Sequence, residues 1–184
     1  NAQYRELKAR NERAFVWIDD PGLEFVFSAL CGYDNVKAKK ELTDFFNGIE
    51  GPRGLHLCGR PDWDFLLSLK IEILSFNAYA FGDAFVTYDK VKDFIENGNI
   101  ISWGIVPTHF DEFAHEDVKS LAARIENMWG VLVKKGIDFR LIVDNSLLAP
   151  ATCNLLNTDK TITVENSFAL LGALSTFLKE KSVL

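Results

Sequence analysis

Five times along the chain a short apolar run stops at a polar or glycine-containing turn. Ala14-Phe15-Val16-Trp17-Ile18 ends at Asp19-Asp20-Pro21-Gly22, and Leu55 to Cys58 ends at Gly59-Arg60-Pro61-Asp62. Ile71 to Phe76 ends at Asn77, Ile100 to Val106 at Pro107-Thr108, and Phe139 to Val143 at Asp144-Asn145-Ser146. The runs are short, mostly apolar and rich in β-branched residues, as in strands buried on both faces. Helical stripes lie between them. Val36, Leu42, Phe45, Phe46 and Ile49 fall on one face of a helix starting near Asp34-Asn35, and Asp62 is placed to cap Trp63 to Leu69. Val91, Phe94 and Ile95 are closed by Gly98, and Val118, Leu121, Ile125, Met128, Trp129 and Leu132 by Gly136. Phe168, Leu171, Leu174, Phe177 and Leu178 mark a last helix. A β-α unit repeated about five times predicts an α/β fold with a parallel sheet and right-handed crossovers.

The chain has 184 residues, 48% hydrophobic and 25% charged, which is enough for one domain with its own core. No composition break divides it, so residues 1–184 read as a single domain. A net charge of -6 gives no electrostatic support to nucleic-acid binding. No apolar run approaches the roughly 20 residues of a membrane span. The start, Asn1-Ala2-Gln3-Tyr4-Arg5, is polar and helical in character, unlike a signal peptide. Three widely separated cysteines that cannot pair completely favour a reducing, cytoplasmic setting. The first residue is not Met, so the expectation is a processed, tagged or truncated chain.

Five β-α units make either a small open sheet or part of a (β/α)8 barrel, and in both cases functional groups gather at the C-terminal strand ends. Asp19, Asp20, His56, Cys58, Asn77, Thr108, Asn145 and Cys153 all fall at or just after such ends. Among them, His56-Leu57-Cys58 is the most informative. Residues two apart on a strand share a side, and one imidazole with two thiolates, Cys153 being the second, suits zinc. Three protein ligands leave one position open, as in a catalytic site. Asp19 and Asp20 suit a cap of the turn before Pro21 and a substrate ligand equally well. Cys31, Trp63 and Trp103 read as core, Lys37, Lys39 and Lys40 as a solvated helix face, and His109 and His115 as part of a solvated acidic loop.

Taken together, Ile18-Asp19-Asp20-Pro21, Gly54-Leu55-His56-Leu57-Cys58-Gly59, Ile73-Leu74-Ser75-Phe76-Asn77-Ala78, Ile101 to Thr108 and Ser146 to Cys153 resemble the catalytic domain of cobalamin-independent methionine synthase. More broadly they are similar to the superfamily that includes uroporphyrinogen decarboxylase and the corrinoid-dependent methyltransferases. The resemblance covers the chain from about Ala14 onward. It implies a (β/α)8 barrel of which this chain supplies about the last five units, with N-terminal strands missing. It also implies zinc on His56, Cys58 and Cys153, with Asn77 at the position of the fourth-ligand carboxylate and Asp19 matching the carboxylate that holds the substrate amine. Asn154 stands where the family usually has Gly. The implied reaction is zinc-dependent methyl transfer to a thiol such as homocysteine, the donor being a methyl-folate or a methyl-corrinoid carried by another protein. The alternatives are a decarboxylase of the uroporphyrinogen type and a non-catalytic, degenerate barrel module. Bare sheet edges favour association, so a homo-oligomer is among the expected partners.

Overall fold

The computed structural model describes residues 1–26, 34–154 and 156–182. Strands β1 (Val16–Asp19), β2 (Arg53–Leu57), β3 (Ile73–Phe76), β4 (Ile100–Val106) and β5 (Ser146–Pro150) form one sheet in the order β1-β2-β3-β4-β5, with every pairing parallel. The helices among the described residues are α1 (Ala2–Arg10), α2 (Asn35–Asn47), α3 (Trp63–Leu66), α4 (Ala78–Phe85), α5 (Lys90–Glu96), α6 (Phe110–Phe113), α7 (Val118–Lys134), α8 (Phe139–Asp144) and α9 (Ile162–Ser182). Because each crossover advances by one strand in the same direction, the handedness rule carries the connecting helices to one face of the sheet. The order contains no reversal, unlike that of a doubly wound sheet. None of the described helices is long and apolar enough to cross a membrane.

The two faces differ sharply. On the apolar face Leu55, Leu57, Leu74, Phe76, Ile101, Trp103 and Ile105 are buried, together with Trp63 of α3, Phe85 of α4, Ile95 of α5 and Leu121, Ile125 and Leu132 of α7. Trp63, Phe76, Phe85 and Trp103 pack ring against ring with centroids 4.4 to 5.9 Å apart. Both tryptophans therefore belong to the core, as expected from the sequence. The opposite face carries a polar row among apolar neighbours such as Ile73 and Val106. Register places Asp19, His56, Ser75 and Ser102 side by side across β1 to β4, and residues in one such row project to the same side. The expectation of strands buried on both faces holds for β2, β3 and β4, although His56, Ser75 and Ser102 make one row of their second face polar. β1 and β5 expose Trp17 and Leu147, and the central strands carry serines on their second face.

The fifth strand is a further correction. Phe139 to Val143, read as a strand because it is β-branched and apolar, is helix α8. Asp138 accepts hydrogen bonds from the backbone N–H groups of Arg140 and Leu141, so a helix cap starts the segment and overrides its β-propensity. The strand follows it, at Ser146–Pro150. Asn145 accordingly precedes β5, where its backbone carbonyl accepts from the Ile101 N–H, and it does not stand at a strand's C-terminal end. On α2, Ala38 and Phe46 face the core while Val36 and Phe45 are exposed. The capping residues Asp34 and Asp62 are found as expected, and Gly98 and Gly136 adopt positive φ just beyond α5 and α7. The core assignment of Cys31 lies outside the described residues. His109, His115, Lys37, Lys39 and Lys40 are exposed.

Candidate metal centre

Two strand ends that are far apart in sequence meet at one rim of the sheet. β2 delivers His56 and then Cys58, and the turn after β5 delivers Cys153. The Cys58 and Cys153 sulfurs lie 3.9 Å apart across a chain separation of 95 residues, and His56 Nε2 lies 3.3 Å from Cys58 Sγ. Both cysteines are free thiols, Cys58 half-buried and Cys153 exposed. Bond lengths of about 2.3 Å to sulfur and 2.0–2.1 Å to nitrogen in a tetrahedral zinc site place two sulfurs about 3.8 Å apart and a sulfur and a nitrogen about 3.6 Å apart. The donor types and both observed spacings fit that ion. The contacts form a chain with Cys58 in the middle. Among the described residues, no three His, Cys, Asp or Glu side chains are already gathered around one ion position.

Each donor is held from behind. His56 Nδ1 is 2.9 Å from Ser75 Oγ, its neighbour in register on β3, and Ser75 is buried. That contact fixes the ring and leaves Nε2 facing Cys58, the arrangement that orients metal-binding histidines. On the β1 side, Trp17 stacks on His56 with ring centroids 6.4 Å apart and lies across Gly54, where a Cβ would meet the indole at 2.3 Å. The turn after Cys58 is closed by Glu24, whose carboxylate accepts the Arg60 N–H at 3.3 Å and occupies the space a side chain at Gly59 would need.

The Cys153 turn is tied to the end of β4. Ala151 N–H donates to the Val106 carbonyl at 2.7 Å, and Thr108 Oγ1 meets Thr152 Oγ1 at 2.6 Å. The Thr108 carbonyl accepts from the side-chain amides of Asn154 at 3.4 Å and Asn157 at 2.9 Å. Asn154 therefore braces the turn that presents the sulfur. Gly104 makes room for this arrangement at an irregularity in the β4–β5 register, since a Cβ there would approach the Phe76 carbonyl oxygen to 2.5 Å.

Asn77 caps α4, its Oδ1 accepting the Ala80 N–H at 3.0 Å. Asp20 is the residue that caps the turn before Pro21, accepting the Gly22 N–H at 2.9 Å. Asp19 is exposed at the end of β1, level with His56. Burial pushes the His56 pKa down, and the nearby Asp19 charge opposes this without reversing it. Burial and the neighbouring Cys153 thiol push the Cys58 thiol up. These directions favour a neutral imidazole beside a protonated thiol, and so argue against a thiolate–imidazolium nucleophile of the cysteine-hydrolase kind. A neutral imidazole is the form that ligates metal.

Sequence reasoning singled out His56, Cys58 and Cys153, which the structure brings to one rim, and missed the residues that hold them: Ser75, Trp17, Glu24, Thr152 and Asn157. One signal pointed to Ser75. It is a polar residue within a buried strand, in phase with His56 on the strand before. An apolar groove of about 470 Å³ beside β5 and α9, lined by Trp129, Leu147, Leu148, Phe168 and Leu178, contains none of these residues. No protein-family model matches the chain, and no curated protein matches it.

Proposed function

We propose that His56, Cys58 and Cys153 bind one zinc ion and that the chain is a methyltransferase acting on a thiol such as homocysteine. The observation that carries this reading is the approach of two sulfurs from positions 95 residues apart to 3.9 Å, with an imidazole nitrogen 3.3 Å from one of them. The strictly sequential parallel sheet, covered by helices on one face and bearing a polar row on the other, supports its reading as an arc of a (β/α)8 barrel. Zinc would supply acidification of a bound thiol at neutral pH. Ser75 and Trp17 orient the imidazole, and Thr108, Thr152 and Asn154 position the late sulfur. Asp19, exposed on the same rim, is placed to meet a substrate ammonium group by charge complementarity. The methyl group leaves its donor, a methyl-folate or a methyl-corrinoid, and bonds to the substrate sulfur, whose proton goes to solvent.

One observation favours a non-catalytic module instead. The side-chain oxygen at the fourth-ligand position, on Asn77, already serves as a helix cap. Incubating the zinc-loaded chain with homocysteine and either methylcobalamin or methyltetrahydrofolate separates the two. Methionine formation that disappears in Cys153→Ser supports the methyltransferase. Zinc binding without turnover on either donor leaves the module, and no zinc binding removes the chemical basis of both the site and the reaction.

A further inference from the structure

We propose that Cys58 and Cys153 are a thiol-modification site that closes to an intramolecular disulfide under hydroperoxide, switching the rim between an open dithiol and a locked state. The inference shares its two sulfurs with the zinc reading but does not depend on metal binding. The thiols are 3.9 Å apart and a disulfide requires about 2.05 Å, so the sulfurs must approach by about 1.9 Å. Neither residue lies inside a helix. Cys58 follows the end of β2, and Cys153 sits in the turn after β5 with its side chain exposed, so it can move by rotamer and turn adjustment.

Exposure also sets the order of events. The Cys153 thiol meets the oxidant first. Its sulfur attacks the terminal oxygen of the hydroperoxide, the O–O bond breaks, and the leaving alkoxide takes the thiol proton to depart as an alcohol, or as water from hydrogen peroxide. Cys153 is then a sulfenic acid. The Cys58 sulfur attacks the Cys153 sulfur, the S–O bond breaks, and the departing hydroxide takes the Cys58 proton to leave as water. Two thiols are oxidised and one peroxide is reduced. A sulfur engaged in the disulfide has no thiolate left to bind metal.

The test uses the wild-type chain, metal-free and zinc-loaded, treated with hydrogen peroxide at near-equimolar ratio and mapped by peptide mass. The expected result in metal-free protein is a linked 58–153 peptide lighter by two hydrogens, one titratable thiol left of the three cysteines, and full reversal by dithiothreitol. Sulfinic acids at the separate residues, a link to Cys31, or a link between chains would overturn the proposal. Saturating zinc is expected to slow the link by about tenfold or more, because the ion would hold the two sulfurs about 3.8 Å apart and one must leave it before they can join. If the link forms equally fast with zinc, the zinc reading fails and the modification site stands. If it fails to form without metal while zinc still binds, the modification site fails alone.

Discussion

His56 is held between two partners, a hydroxyl at one ring nitrogen and a sulfur at the other, and the residue-scale predictions follow from that. Ser75→Ala removes the partner of Nδ1 in a buried setting and is expected to weaken zinc binding by about 10–100-fold with little change in secondary structure, measured by chelator competition and circular dichroism. Asp19→Asn removes the charge that partly offsets burial at His56, so the imidazole pKa should fall further below its ordinary value, which an NMR titration of the ring reads directly. Cys58 starts as a thiol whose pKa is raised, so binding displaces its proton. Apparent zinc affinity should therefore rise with pH through the neutral and mildly alkaline range, by roughly tenfold per unit for each thiol proton displaced. That His56, Cys58 and Cys153 come together was legible in the sequence, because the His-x-Cys spacing and the distant cysteine are properties of residue type and order. Their supports were not. Ser75 reaches His56 only once the β2–β3 register is set, and Thr108 reaches Thr152 only once β4 and β5 are paired.

At the scale of elements, the register of β2 against β3 is pinned at its start by Arg53 and Glu72. The Arg53 backbone N–H donates to the Glu72 carboxylate at 2.6 Å, the guanidinium donates at 3.1 and 2.5 Å, and the same guanidinium reaches the Phe46 carbonyl at 3.0 Å. Partial burial works to raise the Glu72 pKa, but the hydrogen bonds from Arg53 outweigh it and hold the carboxyl below its ordinary range. A depressed carboxyl stabilises the fold above its unfolded pKa, and that stability is lost as pH falls through the folded value. Glu72→Ala should leave the buried Arg53 charge poorly compensated and cost about 2 kcal/mol at neutral pH. This is less than for a fully enclosed pair, because Glu72 reaches solvent. The deficit, measured by urea unfolding, should begin to shrink as pH falls below about 4.3, where the unfolded chain takes up the proton, and disappear as pH falls through the lower value of the folded carboxyl. Four of the five strands were legible as short β-branched runs. The fifth was displaced by one element because Phe139 to Val143 has strand composition and helix capping, and a single aspartate before it decides the outcome.

Over the whole molecule, the candidate centre ties β2 to the turn after β5, bridging a separation of 95 residues. A ligand that binds only the folded state stabilises it by about 2.7 kcal/mol at a free concentration of one hundred times Kd. At about 2–4 °C per kcal/mol for a chain of this size, zinc should raise Tm by about 5–10 °C, and a chelator should reverse the rise. The α/β class and the parallel sheet follow from the alternation of runs and stripes. The polar row of Asp19, His56, Ser75 and Ser102 does not, because continuous apolar runs conceal both the register and the side of each strand that the helices cover. X-ray absorption at the zinc edge of the loaded chain tests the central claim most directly. The account predicts two sulfur neighbours at about 2.3 Å and one imidazole nitrogen at about 2.0–2.1 Å, with one sulfur lost in Cys153→Ser. A shell of oxygen and nitrogen only, unchanged by that substitution, would contradict it.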